Sequence, residues 1–255
     1  MRILLLKKKW MTLCLSLLAA GAIFCAAWYP SAVSTAAAKR QLPIYCVETG
    51  GEKRCAISFD AAWGADNTQK ILDVLETYDA PATFFVVGNW ADDYPDAMKA
   101  IVDAGHEVMN HSNAHDHYNS LSAAEITKDI TVCNEKIMKL TGVMPRLIRC
   151  PYGEYDDHVI STIRAMGMEP IQWDVDSLDW KDLSAAEITQ RVTSKVQPGS
   201  IVLFHNAGLH TPEALPDILD YLAKEGYTLV PISQLILTGD YTIDHAGKQC
   251  PANKS

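Results

Sequence analysis

Asp60, His111, Arg149, Asp176 and His205 each stand at, or just after, the end of a different β-rich run. Carboxylates and imidazoles exchange protons in hydrolytic reactions, imidazoles also bind metal ions, and a guanidinium can fix a carboxylate in place. His111-Ser112-Asn113-Ala114-His115 sets two imidazoles four residues apart, a spacing that lets both reach one metal ion from the same side of a helical turn. No Glu follows His111, which separates the pattern from HExxH metalloproteases, so a secreted metallopeptidase would rest on the His pair alone. The neighbouring His106 and His117 read as structural or surface groups.

These residues need a frame that gathers distant strand ends. Seven β-rich runs (55–60, 82–87, 106–110, 147–149, 169–174, 200–205 and 227–230) alternate with helix-periodic segments at 68–78, 95–104, 123–140, 158–166, 185–196 and 212–225. Ser122 with Glu125, and Ser184 with Glu187, carry the spacing of a capping box at two helix starts. Such alternation predicts a mainly parallel sheet with right-handed crossovers, in which the C-terminal ends of the strands share one face. No GxGxxG follows the first run, so the pattern leans towards an irregular (β/α) barrel over a dinucleotide-binding sheet.

Five motifs in order, Ser58-Phe59-Asp60, His111-Ser112-x-x-His115, Arg149-Cys150-Pro151-Tyr152-Gly153, Asp176-Ser177-Leu178-Asp179-Trp180 and Leu203-Phe204-His205, resemble those of the NodB-type polysaccharide deacetylases. This family is also called the family 4 carbohydrate esterases, and the resemblance spans roughly residues 55–235. It implies an α/β fold, a distorted (β/α)7 barrel, and an enzyme that removes acetyl groups from an N-acetylated cell-wall glycan. Peptidoglycan is the first candidate and chitin-like oligomers are the second. The resemblance also implies a divalent metal, commonly zinc, on His111 and His115, with Asp60 as the base for the attacking water and His205 as the acid for the leaving amine. Arg149 would orient Asp60, Asp179 would pair with His205, and Tyr152 would lend its backbone N–H to the oxyanion. Trp180 and Leu203 would line the pocket for the acetyl methyl. Each supporting residue has a structural alternative: an ion pair for Arg149 and Asp179, core for Trp180 and Leu203, a turn for Tyr152-Gly153.

The family's first motif has two adjacent aspartates, the second a metal ligand, and that position here holds Ala61. Asp66 is then either a ligand from the loop or the N-cap of the next helix. In this the sequence resembles the sporulation-type (PdaB-like) subgroup, in which the second aspartate is also absent. The absence opens a second reading, a catalytically silent glycan-binding protein of the wall or spore envelope.

The 255 residues, 48% apolar and 21% charged, suit one catalytic domain and exclude a disordered chain. Arg2, Lys7, Lys8 and Lys9 precede a run from Trp10 to Tyr29 without a charged side chain, which reads as an export signal or membrane anchor helix over 1–38. The net charge of −9 includes those four positive charges, so the remainder carries −13, which argues against a nucleic-acid partner. The expected order is a signal or anchor (1–38), a leader hairpin (39–54), the barrel (55–236) and a loose polar tail (237–255), with the exported part at the outer membrane face or in the wall. Cys46 and Cys55 flank the turn sequence Glu48-Thr49-Gly50-Gly51-Glu52 and form a candidate disulfide.

Overall fold

The structure, a computed structural model, describes residues 40–252, and the expected signal or anchor helix lies outside them. Among the described residues no helix is long and apolar enough to cross a membrane. The strands are β1 (Cys46–Val47), β2 (Arg54–Ala61), β3 (Thr83–Val86), β4 (Glu107–Asn110), β5 (Leu147–Ile148), β6 (Glu169–Pro170), β7 (Val175–Asp176), β8 (Ile201–His205), β9 (Thr228–Leu229), β10 (Tyr241–Ile243) and β11 (Lys248–Pro251).

Parallel strands in the order β6-β5-β4-β3-β2-β8-β7 form a curled sheet, a half-barrel consistent with a distorted (β/α)7 barrel, and β9 pairs with the start of β2. Side chains alternate across such a sheet. Along β2, Cys55, Ile57, Phe59 and Ala61 pack into the core shared with the helices, whereas Ala56 belongs to the inner cluster with Phe85, Met109, Leu147 and Ile201. The same period turns Ser58 and Asp60 inward, and their strand partners on β8 are Leu203 and His205. Helices cover the outer face. The longest, Ala123–Thr141, buries Ile126, Ile130, Cys133 and Ile137 at helical spacing, and the capping boxes of Ser122 and Ser184 both form.

The leader does not form the expected hairpin. β1 pairs in parallel with β11 instead of with β2, so Cys46 stands opposite Lys248 and Cys55 lies inside the main sheet. Both cysteines are buried free thiols, and the anticipated disulfide is not present. The segment before β1 has another task, which is to bridge the open side of the half-barrel. Ile44 donates to the Pro170 carbonyl (3.0 Å) and accepts from Gln172 N–H (2.7 Å), and Val47 N–H donates to the Gly199 carbonyl (3.0 Å). Gly199, at φ +86°, is required there because a Cβ would lie 1.8 Å from the Val47 carbonyl oxygen.

The tail is not loose either. β10 and β11 form an antiparallel pair that joins β1 in a three-stranded sheet, with a turn in which Asp244 Oδ1 accepts from the N–H groups of Ala246 and Lys248. Gln249 is buried, and its amide both accepts from Leu237 N–H (2.8 Å) and donates to the Leu237 carbonyl (3.1 Å). Polar composition concealed this element because its one buried amide is fully paired with backbone. Gln249→Ala leaves both Leu237 groups unpaired, so the Tm should fall by roughly 4–10 °C in thermal unfolding. A fall below about 1 °C would show that the C-terminal sheet contributes little to the fold.

Candidate active site

The inward residues at the C-terminal strand ends open into a cavity of about 620 Å³, lined among others by Asp60, His111, His115, Tyr152, Asp176, Trp180, Leu203 and His205. Its floor is an ion pair. Arg149, fully buried just after β5, donates from Nη1 to Asp60 Oδ1 (2.7 Å) and from Nη2 to Ser58 Oγ (3.0 Å) and the Gln172 carbonyl (3.3 Å). Its guanidinium also lies 4.2 Å from the centre of the Phe85 ring. Burial alone would raise the Asp60 carboxyl, but the charge and hydrogen bond of Arg149, with the charge of His205, outweigh it and hold the group below its ordinary 3.8.

Across the β2–β8 register, His205 has the opposite polarity. Its Nδ1 lies 2.7 Å from Asp179 Oδ1, and its own N–H donates to Asp179 Oδ2 (2.8 Å). Thr211 Oγ1 donates to the same carboxylate oxygen (2.6 Å). Burial opposes the imidazolium, yet the Asp179 bond and the charges of Asp179, Asp60 and Asp176 raise His205 above its ordinary 6.5. Gly208 permits this close packing, since a Cβ there would meet Thr211 Oγ1 at 2.1 Å and Asp179 Oδ2 at 2.7 Å.

The two imidazoles of the His111–His115 motif come together, with ring centres 4.9 Å apart, but from a loop and not from the expected helical turn. Ser112 and His115 adopt left-handed backbone (φ +70° and +59°), and the loop is held by Ser112 Oγ, which accepts from His115 N–H (2.8 Å). Asp129, from the helix Ala123–Thr141, accepts from Asn113 N–H (2.8 Å), Ala114 N–H (3.2 Å) and the Tyr118 hydroxyl (2.6 Å). Nothing in the motif pattern pointed to Asp129. Tyr152, Leu178 and Asp182 are left-handed as well, so five of the six non-glycine residues with positive φ among the described residues flank this cavity. At about 1–3 kcal/mol each, such strain concentrates where geometry serves chemistry.

The remaining anticipated residues divide clearly. Tyr152 is exposed at the rim, its ring stacked on His117 at 4.1 Å, and His117 itself pairs with Glu154 on the surface. Trp180 is exposed at the mouth, Leu203 is buried against the cavity, and His106 packs on Phe84 away from it. Trp63, Trp173 and Asp182 line the cavity without belonging to the anticipated set, and only their place in loops after strand ends could have signalled them.

The polysaccharide deacetylase family profile matches residues 48–171. The chain is 31% identical over 189 residues to the peptidoglycan-N-acetylmuramic acid deacetylase PdaA of Bacillus subtilis, covering 72% of each protein. The chain belongs to the polysaccharide deacetylase family. A second similar protein is the peptidoglycan-N-acetylmuramic acid deacetylase PdaC of the same organism, 36% identical over 72% of this chain but only 39% of PdaC. Among solved structures, the CE4 family pseudoenzyme of Bacillus anthracis superposes with a TM-score of 0.72 at 35% identity, covering 76% of this chain and 68% of that one.

Whether this deacetylase fold can hold a divalent cation here depends on its donors. The Nδ1 of His111 is bonded to the Arg149 carbonyl (2.8 Å), the kind of backbone contact that leaves Nε2 of a metal-binding imidazole free to ligate. The Nδ1 of His115 is buried and has no hydrogen-bond partner among the described residues. Burial lowers both imidazoles, His115 to about 4, so both are neutral as ligation requires, and the contact of His111 Nε2 with Asp60 Oδ2 at 3.5 Å is polar and not ionic. These two donors fit a cation. Ala61, however, is buried in the helix-side core, Asp66 is exposed and does not line the cavity, and no third His, Cys, Asp or Glu completes a cluster among the described residues. The suggestion of Asp66 as a ligand is therefore not supported. The cap that follows is Asn67, whose side chain makes no capping bond to a backbone N–H of the helix. Zinc titrations should show His115→Ala weakening binding by about tenfold or more, while Asp66→Ala binds as the parent does. Equal weakening by both would restore Asp66 to the site.

Proposed function

We propose that this protein hydrolyses N-acetyl groups of a cell-wall glycan, peptidoglycan first and chitin-like oligomers second. One observation carries the reading: Asp60 and His205 face each other on paired strands of one cavity, with pKa values driven in opposite directions by Arg149 and Asp179. Environments that separate two titratable groups in this way set up a base and an acid at the same pH. The deacetylase names of PdaA and PdaC support the reaction class. Retention of both charged pairs favours turnover over the silent glycan-binding alternative.

In the proposed mechanism Arg149 holds the Asp60 carboxylate ionised and aimed into the cavity, where it takes a proton from the water attacking the acetamide carbonyl. The imidazolium of His205, kept charged by Asp179, gives its proton to the departing amine. The Tyr152 backbone N–H donates to the oxyanion, a contact worth about 3–4 kcal/mol in comparable sites. Leu203 and Trp180 enclose the acetyl methyl. His111 and His115 would hold the divalent cation, for which zinc is the first candidate among the metals that suit imidazole donors, and it would polarise the carbonyl and acidify the water. The basic and then apolar N-terminal sequence supports export, with the barrel anchored at the outer membrane face or released into the wall.

Acetate release from N-acetylated peptidoglycan and chitin oligomers tests the proposal, run with and without added Zn²⁺, Co²⁺ or Mn²⁺. Asp60→Asn and His205→Ala should each lower kcat by at least about 10²-fold. Full activity in both variants would end the assigned mechanism, and no acetate with any metal would end the deacetylase reading. In the pH profile Asp60 is depressed, so the acid limb falls below 3.8, and His205 is raised, so activity is lost on the alkaline side above 6.5. A profile that instead rises through 6.5 would contradict His205 as the acid.

A further inference from the structure

We propose that Trp63 is a substrate-positioning residue that stacks on a sugar ring of the glycan next to the one being deacetylated, which makes the site selective for chains over single sugars. The inference rests on the deacetylase reading for the polymer's identity, but its evidence is separate from the catalytic pairs.

Trp63 lines the cavity and is 59% exposed, whereas Trp90, which packs beneath the same loop, is 1% exposed. An indole more than half exposed forgoes much of the apolar burial that would stabilise the fold. Its backbone, by contrast, is fixed. The carbonyl of the next residue, Gly64, accepts from the Trp90 indole N–H (2.7 Å) and from Asn206 Nδ2 (2.8 Å), and Asn67 Nδ2 donates to the Gly208 carbonyl (2.9 Å). An exposed aromatic on a pinned loop is a preorganised contact surface, because little conformational freedom remains to be lost on binding. One neighbour defines its direction: the indole meets the His115 ring at 4.6 Å between centroids and an angle of 66°.

The occupant follows from this position. Pyranose rings present C–H groups on their faces and hydroxyls around their edges, a match for an aromatic face beside polar groups. Tyr152 also meets the His115 ring, at 4.4 Å between centroids, so the imidazole contacts two exposed aromatic residues that line the cavity. A sugar with its acetamide over His111 and His115 would leave its neighbour along the chain beside Trp63. A monosaccharide would leave that surface bare.

Calorimetric binding of tetra-N-acetylchitotetraose and of N-acetylglucosamine to the full chain, with Trp63→Ala and Trp63→Phe, tests the proposal. The Kd for the tetrasaccharide should rise about tenfold or more in Trp63→Ala and stay within about threefold of the parent in Trp63→Phe. The monosaccharide should weaken by less than about threefold in either variant. Equal tetrasaccharide affinity in the parent and in Trp63→Ala, with folding checked by circular dichroism, overturns the proposal, as does a parent that binds no tetrasaccharide. Acetate release by the parent is scored separately. Chain-selective binding without acetate would leave the role of Trp63 intact and remove the deacetylase reading, while acetate release with an indifferent Trp63 would do the reverse.

Discussion

The site depends on a single buried contact, the ion pair between Arg149 and Asp60. The two residues come from strands three places apart in the sheet order and meet inside the curl, where neither charge can be left alone. Removing one partner of such a pair typically costs about 3–5 kcal/mol, because the other charge stays buried and unpaired. Burial also lowers the pKa of Arg149 itself, yet a guanidinium remains charged in proteins and Asp60 therefore stays ionised. The Phe85 and Trp173 rings beside the guanidinium and its bond to Ser58 fix where the carboxylate points. The contact that holds the interior together is also the one that prepares the base.

The second pair is built differently. His205 lies nearer to solvent than Asp60, and its partner Asp179 is fully buried, tied by Thr211 and pressed by Gly208. A buried, fully hydrogen-bonded carboxylate cannot move away from the imidazole, which is why a proton stays on His205 despite partial burial. Two carboxylates of one type thus serve unlike ends: Asp60 faces the cavity, and Asp179 faces only its partners.

Much of this arrangement was legible in the sequence, since period-2 runs and helical spacing were enough to find the strands that carry Asp60 and His205 and those that end just before His111 and Arg149. The sheet order then turned distant strand ends into neighbours. What remained hidden was chemistry without periodicity. Asp129 sits on the polar side of an ordinary amphipathic helix, and only the fold brings it beneath the histidine loop. The expectation of a helical turn at His111–His115 failed because left-handed backbone at Ser112 and His115 reaches the same ring proximity by another path. The Cys46–Cys55 pairing failed because the turn between them was weighed without the competing strand β11, some 200 residues away.

That long-range pairing bears on how the barrel comes to exist. The bridge across its open side is made by Ile44 to Val47, held by Pro170, Gln172 and Gly199 and flanked by β11. Each of these contacts closes a loop of well over a hundred residues, and such contacts form slowly because the entropy of closure is lost before any contact rewards it. β11 follows every other partner of this bridge in the sequence, so in a chain made from its N-terminus the seam is completed last. β11, near the end of the described residues, thus acts as a latch on β1, near their start.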